Sequence, residues 1–208
     1  MNVDLEIRKV SLKGDLEMFP EAKGLVIFAH GSGSSRSSPR NQFVAKKIND
    51  RKIATLLFDL LTDEEENNRE SRFDIEMLAE RLIGVTRWCR EDDSLKKLRM
   101  GYFGSSTGAA AALSAAAYWG TRISAVVSRG GRPDLAMEVL DLIEAPTLLI
   151  LGSSDSEEVI NLNRKAYSKL GCVKKIEIVS GAGHLFEEKG ALEKVADLAG
   201  GWFEKYFI

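Results

Sequence analysis

Gly104-Ser105-Ser106-Thr107-Gly108 is a glycine-flanked serine turn between two stretches of opposite character. Residues 98–103 enter it as an apolar strand, and the alanine-rich residues 109–117 leave it as a helix. Strand, tight turn and helix form the setting that the G-x-S-x-G nucleophile elbow requires. The turn forces its middle residue into a strained backbone conformation. Gly104 and Gly108 leave room where strand and helix pass close together. Ser106 would then stand above the sheet with its hydroxyl free.

Outward from this turn, strands alternate with helices. Residues 24–30 are continuously apolar up to His30, as in a strand covered on both faces. They end in the loop Gly31-Ser32-Gly33-Ser34-Ser35-Arg36, and a helix is predicted over 39–50. Further buried strands are expected at 53–58, 123–127, 146–151 and 176–179. Helices are expected at 134–142, 156–170 and 192–206, and one begins at Ser71 with Ser71 as its N-cap. At the N-terminus, residues 3–10 alternate apolar and charged. With a turn at Lys13-Gly14 and a second short strand over 16–19, they read as an edge hairpin. The acidic run 59–69 reads as a solvated loop, or as a mobile wall of a site beyond a strand end. The whole is an α/β chain with a mostly parallel sheet of about seven or eight strands, helices on both faces and one domain over 1–208.

Composition narrows the function classes. The 208 residues carry 29 basic and 31 acidic side chains, a net charge of −2, which offers no global field for nucleic acid or an anionic membrane. Cys89 and Cys172 match no metal-ligand spacing and read as reduced thiols. No secretory leader pattern or membrane-length apolar run occurs, so the expected location is the cytoplasm.

In parallel sheets, ligands bind beyond the carboxyl ends of the strands. Four loops at such positions carry unusual residues, at His30, Ser106, Asp155 and His184. A serine hydroxyl needs a base to attack at neutral pH, and imidazole suits that task. The chain has two histidines. His184 follows the last strand in Gly181-Ala182-Gly183-His184 and is the expected base. His30 is expected to tie loops together. Asp155 is the preferred orienting acid, giving the order Ser106, Asp155, His184. Asp134, beside Arg132-Pro133, is the rival and reads as a helix cap. Glu187 and Glu188 read as surface residues. The oxyanion hole would use the N–H of Thr107 and one from the glycine loop, Ser32 first and Gly33 second. That loop lacks the endings of a P-loop or a dinucleotide site. Arg36, Arg40, Arg129 and Arg132 lie in loops at the same face. Arg36, Arg129 and Arg132 are candidates for binding an anionic group of the substrate.

As a set, His30-Gly31-Ser32-Gly33, Gly104-x-Ser106-x-Gly108, Leu151-Gly152-x-x-Asp155 and Gly183-His184 resemble the α/β-hydrolase superfamily over nearly the whole chain. Within it the chain is most similar to the compact, lidless branch related to dienelactone hydrolase. Some relatives of this kind are similar to domains found beside phosphoribosyltransferases. Dienelactone hydrolases proper use cysteine at the elbow, whereas this chain has Ser106, so the resemblance implies fold and triad but not a lactone substrate. The expected activity is a serine hydrolase acting on a small carboxylic ester or thioester, with no metal or organic cofactor. The alternative is a small-molecule binding module on the same fold.

Overall fold

The computed structural model describes residues 1–208. One sheet of eight strands runs through it: β1 (Asn2–Ile7), β2 (Val10–Glu17), β3 (Gly24–Ala29), β4 (Ala54–Phe58), β5 (Arg99–Ser105), β6 (Ile123–Arg129), β7 (Thr147–Gly152) and β8 (Lys174–Val179). Their spatial order is β1-β2-β4-β3-β5-β6-β7-β8. β1 and β2 pair antiparallel, β2 joins β4 antiparallel, and every pairing from β4 to β8 is parallel. The serine turn therefore follows β5, a central strand of the parallel portion.

The helices are α1 (Pro39–Asn49), α2 (Asp63–Glu66), α3 (Arg69–Phe73), α4 (Ile75–Glu91), α5 (Thr107–Trp119), α6 (Glu157–Lys169) and α7 (Ala191–Tyr206). Two cores cover the two faces. One packs α4 and α5 against the sheet through Leu82, Val85, Ala111, Leu113 and Tyr102. The other packs α1 and α7 through Val44, Ile48, Phe103, Val195 and Phe203. β5 feeds both, since successive side chains of a strand point to opposite faces. No helix is long and apolar enough to cross a membrane.

Several local readings need correction. The N-terminal turn lies at Arg8-Lys9, where Arg8 has φ 55°, and Lys13-Gly14 sits inside β2. Gly14 is there because a Cβ would stand 3.0–3.2 Å from Val3, Leu5 and Leu56 side chains. Ser71 lies within α3. The long helix begins at Ile75, with the Asp74 carboxylate accepting the N–H of Met77 at 3.0 Å as its N-cap. The acidic run is partly helical: Thr62 and Glu65 form a capping box around α2. Residues Pro133–Leu142 form tight 3-10 turns with a kink at Ala136 rather than an α-helix.

Candidate active site

Ser106 joins β5 to α5 with φ 51° and ψ −122°, a region that side-chain-bearing residues rarely occupy. The neighbours hold it there. Its N–H donates to the Arg129 carbonyl at 3.3 Å, and its own carbonyl accepts from Arg132 N–H at 3.1 Å. A Cβ on Gly108 would lie 2.2 Å from the Ala29 carbonyl oxygen, and one on Gly104 would lie 2.5 Å from Ala109 Cα. Both glycines are therefore steric requirements of the crossing. Small alanines along α5 continue it, letting the helix lie close over the sheet.

The loops that carry Asp155 and His184 are built together. Asp155 follows β7 and His184 follows β8, and these strands pair along their length. Ser154 N–H donates to Ala182 O at 2.9 Å, and Gly181 N–H donates to Ser153 Oγ at 2.7 Å. A Cβ on Gly152 would stand 2.1 Å from Ala182 O, so only glycine permits this approach. The result is His184 Nδ1 at 2.8 Å from Asp155 Oδ2. The Asp155 side chain is buried, and its other oxygen accepts Ser156 N–H at 2.7 Å. An imidazole donating Nδ1–H to a carboxylate keeps Nε2 as the basic nitrogen. The His184 ring lies over Gly130, whose missing Cβ would be 3.5 Å from the ring.

Asp134, the rival acid, is engaged elsewhere. Arg132 Nε and Nη2 donate to its two oxygens at 2.9 and 2.8 Å, a bidentate pair. Glu187 and Glu188 do more than face solvent. Glu188 accepts Gly183 N–H at 3.0 Å, bracing the turn before His184, and Glu187 accepts from Arg40 Nη1 at 3.0 Å. Glu188 was legible only as a carboxylate five residues beyond Gly183. Its turning back depends on the conformation of the loop, where Phe186 has φ 56°.

On the other side stands the glycine loop. Thr107 is the first residue of α5, where backbone N–H groups lack intrahelical acceptors. Ser32 N–H, the other expected oxyanion donor, is given to Thr107 Oγ1 at 2.9 Å. Gly31 packs directly on Ser106, where a Cβ would meet Ser106 Cβ at 3.0 Å. His30 is buried and ties loops: Nε2 accepts Leu60 N–H at 2.9 Å, which leaves the proton on Nδ1, 3.0 Å from Gly31 O. Burial holds its pKa below the usual imidazole value, against the Gly31 bond and the charges of Asp59 and Glu66.

The three candidate arginines fare differently. The Arg36 guanidinium pairs with Asp59 and Asp15, and its backbone N–H also donates to Asp59, so it braces the loop. Arg132 is taken up by Asp134. Only Arg129 retains unpartnered nitrogens, Nε and Nη1, and it is buried. The segment after β4 forms a wall beside the glycine loop, with contacts to His30 and Arg36 and the Arg81–Glu65 ion pair at 2.7 Å. A cleft of about 210 Å³ lies between them, lined by Ser34, Arg36, Asp59 and Glu66 among others.

A crystal structure of a dienelactone hydrolase from Anabaena variabilis superposes with a TM-score of 0.97 and 50% identity, covering 99% of this chain and 97% of that one. The chain belongs to the α/β-hydrolase superfamily, in its dienelactone-hydrolase-related branch. This hydrolase-fold chain is also 53% identical over 194 residues to two Mycobacterium tuberculosis proteins provisionally named phosphoribosyl transferases. The match covers 93% of this chain but 44% of theirs, so the chain spans less than half the length of these relatives. Est1E from Butyrivibrio proteoclasticus, at 15% identity and a TM-score of 0.84, shares the fold. No family model matches the sequence.

Proposed function

We propose that the protein is a serine hydrolase acting on a small carboxylic ester or thioester. The observation that carries this reading is the His184 Nδ1–Asp155 Oδ2 pair at 2.8 Å, set on loops beside an elbow serine with positive φ. Ser106 Oγ attacks the acyl carbon while His184 Nε2 takes its proton. Asp155 steadies the imidazolium through Nδ1–H. The N–H groups of Thr107 and Ser32 receive the negative charge on the carbonyl oxygen, the latter exchanging the Thr107 hydroxyl for a stronger, charged acceptor. His184 returns its proton to the leaving alcohol or thiol. It then deprotonates water, which releases the acid from Ser106. The route needs no metal or organic cofactor. The transferase name of the mycobacterial relatives belongs to proteins more than twice this length.

A second reading, a binding module on the hydrolase fold, is favoured by one observation: Ser32 N–H is already engaged by Thr107. A fluorophosphonate probe separates the two. The wild type should be labelled at Ser106 and Ser106→Ala should not, with kcat for 4-nitrophenyl esters falling by about 10⁶ in the variant. Folded wild type that resists labelling and hydrolyses neither esters nor thioesters would establish the binding module instead.

A further inference from the structure

Arg129 is the last residue of β6, next to the glycine on which the His184 ring rests. The residue is 7% exposed, yet its Nε and Nη1 have no hydrogen-bond partner. No carboxylate answers it. The nearest compensation is the Phe186 ring, with the guanidinium 6.0 Å from the centroid. A second cation stands by the same loop: Arg40 is bonded to Glu187, the residue after Phe186. Burial, and then Arg40, lower the Arg129 pKa to about 10, which still leaves it charged at neutral pH. Arg40 also has an unpartnered buried Nε, and its one carboxylate is the exposed Glu187.

Two guanidinium groups set against consecutive residues of one loop, with three orphan donor nitrogens in all, are costly in the free protein. Burying a charge without a counter-ion disfavours the folded state. Arg40 is also the second residue of α1, an eleven-residue helix whose N-terminus adds a positive partial charge. All three features are complementary to one kind of ligand. We propose that Arg129 and Arg40, with the α1 N-terminus, form a binding site for an oxyanion group, a carboxylate or phosphate.

The site lies behind the loop that carries the base. Residues His184, Phe186 and Glu187 touch Gly130, Arg129 and Arg40 respectively. An anion bridging the two arginines would fasten α1 and β6 to each other beneath that loop. The oxyanion can be free phosphate or the acidic end of an ester substrate, and the second source rests on the hydrolase reading above.

The test uses the full chain with Arg129→Gln, Arg129→Met and Arg40→Gln. Sodium phosphate is titrated by calorimetry and thermal shift, with sodium chloride holding ionic strength constant. At ten times Kd, binding should raise Tm in the wild type by about 3–5 °C, and the shift should vanish in the Arg129 variants. In parallel, kcat/KM is measured for the mono-4-nitrophenyl ester of adipic acid and for 4-nitrophenyl hexanoate. An acidic-substrate source predicts a preference for the adipate ester of about ten-fold or more that collapses in Arg129→Gln. Should the Arg129 variants fail to fold, Arg40→Gln must weaken phosphate binding or the adipate preference by about ten-fold. Wild type that neither binds phosphate nor prefers the adipate ester overturns the site. Saturable phosphate binding in a protein that hydrolyses neither ester and resists fluorophosphonate overturns the hydrolase reading while the anion site stands.

Discussion

At the scale of single residues, the site separates two aspartates of the same chemical type by what already occupies them. Asp134 gives both oxygens to Arg132, whereas Asp155 divides its oxygens between His184 Nδ1 and Ser156 N–H. Asp155→Asn should lower kcat by about 10⁴, since an amide cannot stabilise the imidazolium and permits the wrong tautomer. Asp134→Asn should leave kcat within a few-fold of wild type, and the reverse pattern in steady-state kinetics would exchange their roles. His30 leads to a prediction about stability. Its folded pKa lies below the unfolded value, so the unfolded chain binds a proton that the native fold refuses. The stability is therefore complete above the ordinary imidazole pKa and is lost as pH falls below it, by at most about 1.4 kcal/mol per pH unit. Urea midpoints between pH 7.5 and 5.5 should fall in wild type. They should fall less steeply in His30→Gln, which lacks the buried imidazole. Equal slopes would show that His30 does not govern the acid sensitivity.

At the scale of elements, glycine positions decide where strands, loops and helices touch. Gly108→Ala would force a methyl to within 2.3 Å of two backbone oxygens of residues 29 and 30, which cannot swing aside as side chains do. It should cost about 1–3 kcal/mol, the range for overpacking, and displace the elbow, lowering kcat as well. Gly152→Ala should do the same to the Asp155 and His184 loops. Gly201 is the control: it lies within α7 with nothing within 4 Å of its missing Cβ, so Gly201→Ala should stabilise by about 1 kcal/mol in chemical denaturation. The contrast bears on what the sequence could disclose. The parallel strands were legible because they are short continuous apolar runs with small or polar residues at their ends, and the elbow because its glycines flank a serine between a strand and a helix. The Asp155–His184 contact followed from topology, since two consecutive parallel strands deliver their loops to one edge. Gly14 misled because a glycine in a strand and a glycine in a turn look alike until the neighbours Val3, Leu5 and Leu56 are in place. Ser71 misled because α3 and α4 are separate helices with a shared junction at Asp74, and apolar residues at helical spacing, Phe73, Met77, Leu78 and Leu82, run across both. The engagement of Arg36 by Asp59 and of Ser32 by Thr107 depends on loops distant in sequence, for which no local pattern exists.

At the scale of the molecule, the two cores lie on opposite faces of one uninterrupted sheet. β5 contributes Met100 and Tyr102 to one core and Phe103 to the other. Melting either face would expose the strand that the other face packs against, so the two halves should unfold as a unit. Tryptophan provides the readout, because the three in the chain divide between the faces. Trp119 packs on the α4–α5 core between Arg90 and Arg122, while Trp202 packs on the α1–α7 core and donates its Nε1–H to Pro146 O at 3.2 Å. Two variants isolate them: Trp88→Phe with Trp202→Phe keeps Trp119, and Trp88→Phe with Trp119→Phe keeps Trp202. Each pair of substitutions changes overall stability, so each variant is compared with its own far-UV circular dichroism. In both, fluorescence and dichroism should give one coincident urea transition, as a single cooperative domain requires. A Trp202 signal that melts before the dichroism would instead mark α7 as a separable layer. The Asp155 and His184 loops, which sit above that layer, would then lose their geometry before the rest of the fold.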